Sequence, residues 1–360
     1  MAELKVGVLG LGQGRSHLRA FQMLDQTEVI AVCDVDEKLA RRVAAEEGVP
    51  RIYTDYDQLL EDKDVDIVVV ATPDHLHGRH ALQGLLAGKH VLSEISMALT
   101  LEECERIIEI TDKTGLKYHM GNQVRYANCL VDVKRMISEG KFGEIFYGEG
   151  EYLHNMVRSL RERGVGKDHW RIDPRHPQTT LLGGGPHAID TLRWLMGVRF
   201  VEAKAYNSDI EIPGWPGVMT TVAIFKGDNG SVAKVTVSYG MARPYCLYFS
   251  IYGTKASFER TRIQDPSTDD STNYLYFDSM PNVRTMIPVP VRTWNNPAIA
   301  RRTGVGHGTM EIEQAMDFIE AIVEDKEPSI NPREAARSCA AGICALKSAE
   351  TGTAVAIPTF

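Results

Sequence analysis

Gly10-Leu11-Gly12-Gln13-Gly14-Arg15 lies between a short β-branched run and a helical stretch. Glycines at such a turn let the backbone bend tightly and come close to a pyrophosphate, whose charge a helix N-terminus stabilises. The spacing departs from G-x-G-x-x-G: Arg15 stands where the third glycine would fall, and Gly14 comes one place early. Gly-rich turns after strands are common, so the context carries the reading: strand, turn, helix, second strand, then Asp34 at that strand's end. A carboxylate there can accept from both ribose hydroxyls and repels a 2′-phosphate, which favours NAD(H) over NADP(H). The competing role for Asp34 is to cap the next helix. Arg15 works against the preference, since a cation there can pair with phosphate.

Three later strand ends should face the same crevice: Thr72-Pro73-Asp74-His75-Leu76-His77, Ser93-Glu94-Ile95-Ser96 and Gly121-Asn122-Gln123-Val124-Arg125-Tyr126. Ligands of an open α/β sheet sit at its carboxyl edge, so Thr72, Pro73, His75, His77, Glu94, Ile95 and Asn122 join Gly10, Gly12, Gln13, Gly14, Arg15 and Asp34 as candidate cofactor residues. His75, His77 and His80 lack carboxylate or thiolate partners for zinc, and no metal site is expected.

A second group of residues has acid–base character. His187 opens a helix after Gly183-Gly184-Gly185-Pro186, a run that leaves room for a ligand. An imidazole titrates near neutrality and can take a hydroxyl proton as hydride leaves carbon; the plainer role is a helix-cap histidine. Asp190, three residues on, shares its helical face and could orient it or touch substrate. Tyr152 and His154 alternate onto one side of a strand with Gly148 and Gly150, and reach substrate only if that side faces the site. Lys167, Trp170 and Arg171, with His169 and His176, lie in a long polar loop over residues 156–180. Loops of that length usually cover a site or move. An indole offers a flat face to a sugar ring, and a guanidinium offers paired donors. Arg125 and Tyr126 complete the candidate substrate residues, with Tyr126 a second possible proton carrier.

The elements that must position these groups follow two rhythms. Up to about residue 122, continuous apolar runs at residues 5–9, 29–33, 65–71, 90–92 and 117–120 alternate with helix patterns at 15–24, 37–47, 78–87 and 101–114. Such runs suit strands buried on both faces, the doubly wound Rossmann plan of a parallel sheet. Thr100 and Glu103 form a capping box, and Gly115 supplies the stop. Residues 123–360 change to alternating strands at 144–154, 199–206, 218–226, 231–239, 245–252 and 256–259, with helices at 128–139, 187–196, 311–323 and 332–350. That is an α+β domain with an open, mostly antiparallel sheet. The expected domains are 1–122 for the cofactor and 123–360 for substrate and oligomerisation.

Composition narrows the function. The chain has 360 residues, 43% hydrophobic and 24% charged, and a formal charge of −8, which argues against a nucleic-acid surface. No apolar run approaches a membrane span, and the N-terminal residues run straight into a strand rather than a secretory signal. Six scattered cysteines without a CxxC pair fit reduced thiols in the cytoplasm.

Taken together the chain resembles the glucose–fructose oxidoreductase/inositol dehydrogenase family (Gfo/Idh/MocA). The features are the Gly-rich turn with His17, ATPDHLH at 71–77, AGKHVLSE at 87–94, GKFGEI at 140–145, GGGPHAIDTLRWLMG at 183–197 and TGTAVAIP at 351–358. The resemblance implies a Rossmann domain for NAD, and a second domain whose open sheet holds a sugar or cyclitol and often joins subunits, hence a homodimer or homotetramer. Two departures bear on mechanism. The family usually shows Glu-Lys-Pro where this chain has Glu94-Ile95-Ser96, and many sugar dehydrogenases carry Asp where Gly183 stands. Isoleucine cannot carry a proton. Some relatives that act as NAD-dependent glycosidases also lack that lysine, with Glu followed by an apolar residue as in Glu94-Ile95. The expected activity is therefore hydride transfer between NAD and a hydroxyl-bearing carbon of a sugar, polyol or glycoside. The alternatives are glycoside cleavage through transient oxidation by retained NAD, and a non-catalytic NAD sensor.

Overall fold

The computed structural model describes residues 3–164, 169–176, 178–262, 273–279, 285–289 and 310–360. The chain forms two compact units, Met1–Tyr126 with Trp294–Ala336, and Ala127–Thr293 with Arg337–Phe360.

In the first unit β1 (Leu4–Leu9), α1 (Gly14–Phe21), β2 (Thr27–Cys33), α2 (Glu37–Glu47), β3 (Arg51–Tyr53), α3 (Tyr56–Glu61), β4 (Ile67–Val70), α4 (His77–Leu86), β5 (His90–Glu94), α5 (Leu101–Thr114) and β6 (Tyr118–Gly121) alternate along the chain. The strands form one parallel sheet in the order β3-β2-β1-β4-β5-β6. All four residues of β4 are fully buried, which is why it reads as an unbroken β-branched run. Helix ends follow local chemistry. Asp36 accepts from Lys38 N and Leu39 N at the start of α2, Thr100 accepts from Glu103 N at the start of α5, and Gly48 and Gly115 end these helices at φ of 72° and 71°. The order reverses between β1 and β4, the switch point where doubly wound sheets bind ligands.

The second unit contains α6 (Asn128–Ser138), β7 (Ile145–Leu153), α7 (Met156–Glu162), α8 (Thr180–Gly183), α9 (Gly185–Met196), β8 (Phe200–Asn207), β9 (Thr220–Gly227), β10 (Val232–Ser238), β11 (Cys246–Gly253), β12 (Ala256–Arg260), β13 (Asn273–Phe277) and β14 (Ile287–Val289). Two helices, α10 (Met310–Val323) and α11 (Pro332–Thr351), and β15 (Val355–Ala356) end the chain. The sheet runs β14-β13-β12-β11-β7-β10-β9-β8-β15, antiparallel except for the β7–β10 pair. Gly148 and Gly150 are small because α9 lies on them. A Cβ on Gly148 would come 2.9 Å from Leu192 Cδ1, and one on Gly150 would come 3.3 Å from Ala188 O.

Two expectations need correcting. The second domain does not take all of residues 123–360, because α10 belongs to the first unit. Its Ile312, Ala315, Phe318 and Ile319 share a core with Val6, Val8, Leu18 and Phe21, and burying that apolar face holds the helix there. The loop over 156–180 is also not structureless. Asn155 caps α7 by accepting from Arg158 N, and Met156 and Leu160, four apart, bury one face of it.

Candidate active site

The three glycines after β1 have three different jobs. Gly10 has a φ of +84°, and a Cβ there would sit 2.6 Å from Ala71 O at the end of β4. Gly14 begins α1, and its Cβ would press on Val8 Cγ1 at 3.0 Å and Ala71 at 3.2 Å, so Gly14 does the close helix–strand packing although it stands one place early. Gly12 is exposed, with nothing within 4 Å of its Cβ position. The N-terminus of α1 has no side-chain cap from the exposed Gln13 and no acidic residue in its first turn, unlike α2 and α5. Uncapped helical N–H donors beside an open glycine suit an anionic phosphate.

Asp34 completes this cradle. Its Oδ2 accepts from Leu11 N at 2.8 Å and its Oδ1 from Asp36 N at 2.9 Å. The cap of α2 is Asp36, so the capping role considered for Asp34 belongs to its neighbour. A carboxylate has about four acceptor positions, which leaves half of them for ribose hydroxyls. These residues fit a dinucleotide. Arg15 is turned elsewhere: its guanidinium lies 2.6 Å from both Glu46 and Glu47 on α2, and its pKa is raised chiefly by the Glu47 hydrogen bond. An arginine held by two carboxylates is a poor phosphate ligand.

The other strand ends divide into half-buried residues and structural ones. Thr72, Pro73, His75 and Glu94 are half-buried at the carboxyl edge. Thr72 Oγ1 lies 3.0 Å from His80 Nδ1, and burial lowers the His80 pKa to about 4. His77 is 2% exposed, its ring nitrogens 3.0 Å from Ser96 O and 2.6 Å from Thr72 O. It ties the ends of β4 and β5 together, which corrects its assignment as a cofactor ligand. Glu94 accepts at 2.6 Å from His17, which is buried on α1. Ile95 is buried, and its peptide with Ser96 is cis. Asn122 is fully enclosed at the end of β6.

Arg125 and Tyr126 do not stand as substrate residues. Arg125 is 4% exposed and donates to Ser329 O at 3.3 Å and to Glu334 at 3.4 Å. The Tyr126 hydroxyl donates to Asp317 at 2.9 Å, and burial, then the Asp317 charge, pushes its pKa well above the ordinary phenol value. The same hydroxyl also lies 2.9 Å from His119 Nε2, so it is engaged in a hydrogen-bond network within its own unit.

The second unit gathers an acid–base cluster. Strand β7 advances about 6.8 Å for every two residues and a helix about 6 Å for every four, so the face Gly148-Gly150-Tyr152 runs in step along α9. Tyr152 thereby meets the start of α9. A Cβ on Gly184 would lie 2.3 Å from Tyr152 Cε1, and the Tyr152 ring stacks on His187 with centroids 5.5 Å apart and planes at 19°. The Tyr152 hydroxyl lies 3.1 Å from His154 Nδ1. His187 and His154 are half-buried, so a hydrogen-bonded phenol–imidazole pair and a second imidazole share one partly open face. Tyr245 stands edge-on to both Tyr152 and His154, at 5.7 and 5.2 Å, and Tyr239 lies behind Tyr152. The residue patterns do not mark Tyr239 and Tyr245 as site residues. Their one signal is that they end and begin strand-like runs beside the predicted site.

Asp190 departs from expectation. It is fully buried, accepting from Ser338 Oγ on α11 at 2.6 Å and lying 3.6 Å from Arg193. It cannot touch substrate, and its carboxylate anchors α9 to α11. Trp170 and Arg171 form a 3-10 turn in which the Arg171 guanidinium covers the indole at 4.2 Å and donates to Gln178 at 2.8 Å. The covered indole face is closed to a sugar ring. Lys167 lies outside the described residues.

The parallel sheet with its glycine cradle at the switch point defines the class as an NAD-binding Rossmann fold. The chain belongs to the Gfo/Idh/MocA family: residues 4–122 match the oxidoreductase family, NAD-binding Rossmann fold, and residues 130–259 match the GFO/IDH/MocA C-terminal domain. It is 33% identical over 181 residues to an alpha-N-acetylgalactosaminidase of Shewanella oneidensis and to a glycosyl hydrolase family 109 protein of Shewanella putrefaciens, covering 48% of this chain and 39% of each relative. The chain thus spans about two fifths of the length of these curated relatives. An oxidoreductase domain protein from Kribbella flavida superimposes with a TM-score of 0.85 at 22% identity, over 99% of this chain and all of that one. Levoglucosan dehydrogenase in complex with NADH and levoglucosan gives 0.85 at 23%, with the same coverage. Among the described residues, no helix is long and apolar enough to cross a membrane.

Proposed function

We propose that this chain is an NAD-dependent oxidoreductase that moves a hydride between the nicotinamide and a hydroxyl-bearing carbon of a sugar, polyol or glycoside. NAD, when bound, supplies the hydride acceptor or donor. Asp34 and the turn at Gly10, Gly12 and Gly14 hold its ribose and phosphates. A ring nitrogen of His187 takes the substrate's hydroxyl proton, or returns it in reduction. Tyr152 sets the plane of that imidazole by stacking, and its hydroxyl shares a proton with His154, a second acid–base pair where Ile95 offers none. The observation that carries this reading is the stacked Tyr152–His187 pair with His154 on the Tyr152 hydroxyl.

The buried Ile95, together with the name of the Shewanella oneidensis relative, supports a second reading in which the same hydride transfer is transient and serves glycoside cleavage. One experiment separates the two. Purified protein is given NAD and a panel of sugars, polyols and aryl glycosides. Net NADH is the expected result. Sugar release without net NADH, lost when cofactor is stripped, assigns the cleavage reading, and NAD binding with neither product assigns a sensor. His187→Ala should lower turnover by about two to four orders of magnitude with NAD affinity unchanged; undiminished turnover removes His187 from the chemistry.

Cysteines without a CxxC pair support a cytoplasmic site of action. Ile224, Val232 and Tyr206, exposed on the sheet face turned away from α9, support a homodimer or homotetramer.

A further inference from the structure

Gly183 stands where many sugar dehydrogenases have a carboxylate, and its missing side chain does not leave a void. A Cβ on Gly183 would fall 2.4 Å from Tyr239 Oη and 2.7 Å from Gln178 Cδ. Tyr239, just beyond β10, is fully buried, and its backbone is fixed by Tyr239 N donating to Met219 O and Met156 N donating to Tyr239 O. Its hydroxyl accepts from Gly184 N at 2.6 Å and donates back to Thr179 O or Thr180 O, 3.3 and 3.4 Å away. Gly184 is the N-cap of α9, a helix without a side-chain cap. One phenol therefore satisfies a buried donor at the start of the helix that carries His187. The Tyr239 ring also stands at 86° to Tyr152, 6.4 Å away, and Tyr152 is the ring on which His187 stacks. Trp215 packs on Tyr239 at 5.3 Å.

We propose that Tyr239 is a positioning residue for His187: its hydroxyl pins the glycine turn that starts α9, and its ring edge fixes Tyr152. It holds from one point both the backbone that carries the imidazole and the surface against which the imidazole lies. An uncharged, fully buried group thus fills the space that Gly183 leaves. Its significance rests on the reading of His187 as the acid–base group.

The test reads the accessibility of His187 and not turnover. Diethyl pyrocarbonate acylates unprotonated imidazole, and mass spectrometry of the peptides follows His187, with exposed His176 as internal standard. Tyr239→Phe keeps the ring and removes only the hydroxyl. The His187 rate relative to His176 should rise about fivefold, the population change that one net hydrogen bond controls. A tyrosine that merely supports the fold would lower the melting temperature and leave that ratio unchanged, and an unchanged ratio overturns the proposal. Should Tyr239→Phe not fold, Gly183→Ala places a methyl group against the same hydroxyl and must raise the same ratio; an unchanged ratio there is equally fatal. Combining the two substitutions should give less than the product of their separate effects. Turnover of His187→Ala decides the reading of His187 independently, so either idea can fail alone.

Discussion

Asp34 has one observed role and one proposed role, and substitution can pull them apart. Its carboxylate holds the Gly-rich turn through Leu11 N and its own strand end through Asp36 N, and the proposed function gives its remaining acceptor positions to ribose hydroxyls. Asp34→Ala removes everything. Leu11 is 3% exposed, so its N–H loses a partner where water cannot easily replace it, at a cost of about 1–3 kcal/mol in stability. Asp34→Asn keeps one oxygen for Leu11 N, and its stability should fall by less than about 1 kcal/mol. For NAD the arithmetic differs, because both variants lose the charge. A hydrogen bond to a charged acceptor contributes about 1.5–3 kcal/mol, so NAD should bind about 10- to 150-fold more weakly to Asp34→Ala. NADP should lose far less, because its 2′-phosphate is no longer repelled, and the preference for NAD should shrink in both variants. Calorimetric titration of each variant with NAD and with NADP, beside a thermal melt of each, measures these affinities and stabilities. If Asp34→Asn retains the full preference for NAD, the carboxylate does not read the ribose, and its role is confined to the turn.

Two further outcomes follow from charges the structure has already paired. Arg15→Ala should leave NAD affinity nearly unchanged and cost about 0–1 kcal/mol of stability, because the arginine is held in a part-exposed ion pair with Glu46 and Glu47; a loss of about tenfold or more in NAD affinity on titration would contradict this. Asp317 accepts from Tyr126, Ser329 N and Ser329 Oγ, and lies 3.3 Å from His119. Burial alone would raise its pKa, but the hydrogen bond and charge of His119 and the bonds from Ser329 outweigh it and hold the group at about 2. A depressed carboxylate contributes stability above its unfolded pKa of about 3.9, and loses it as pH falls from there through about 2, about 2.6 kcal/mol in all. Asp317→Asn should remove that amount at neutral pH and flatten the acid limb of the stability profile in urea unfolding; an unaltered limb would show that the group is not tied as described.

How far the residue order announces the fold can be judged element by element. Helix α5 is legible to the residue, because Thr100, Glu103 and Gly115 are local devices acting within one turn of its ends. Strands β13, β14 and β15 are not, being short pieces whose pairing depends on sheet edges far away in the chain. In the cradle, the residue pattern already points to Gly10, Gly12 and Asp34, whereas the role of Gly14 shows only in its packing on Val8 and Ala71. Tyr239 and Tyr245 carry only their places at the ends of strand-like runs, and a tyrosine at a strand end is an ordinary sight.

The amino-acid order by itself determined the parallel sheet with its nucleotide cradle, the change to an open sheet, and the line of Gly148, Gly150 and Tyr152 on one strand face. These are consequences of periodicity and turn chemistry, which act over a few residues. Tertiary structure alone decided what each polar group met. Spacing puts Asp190 on the same helical face as His187, but its carboxylate turned to Ser338, 148 residues away. Arg125 went to Ser329 and Glu334, Tyr126 to Asp317, and α10 joined the first unit's core. A buried polar group must find a partner wherever the folded chain supplies one, and that choice is made by packing between distant segments.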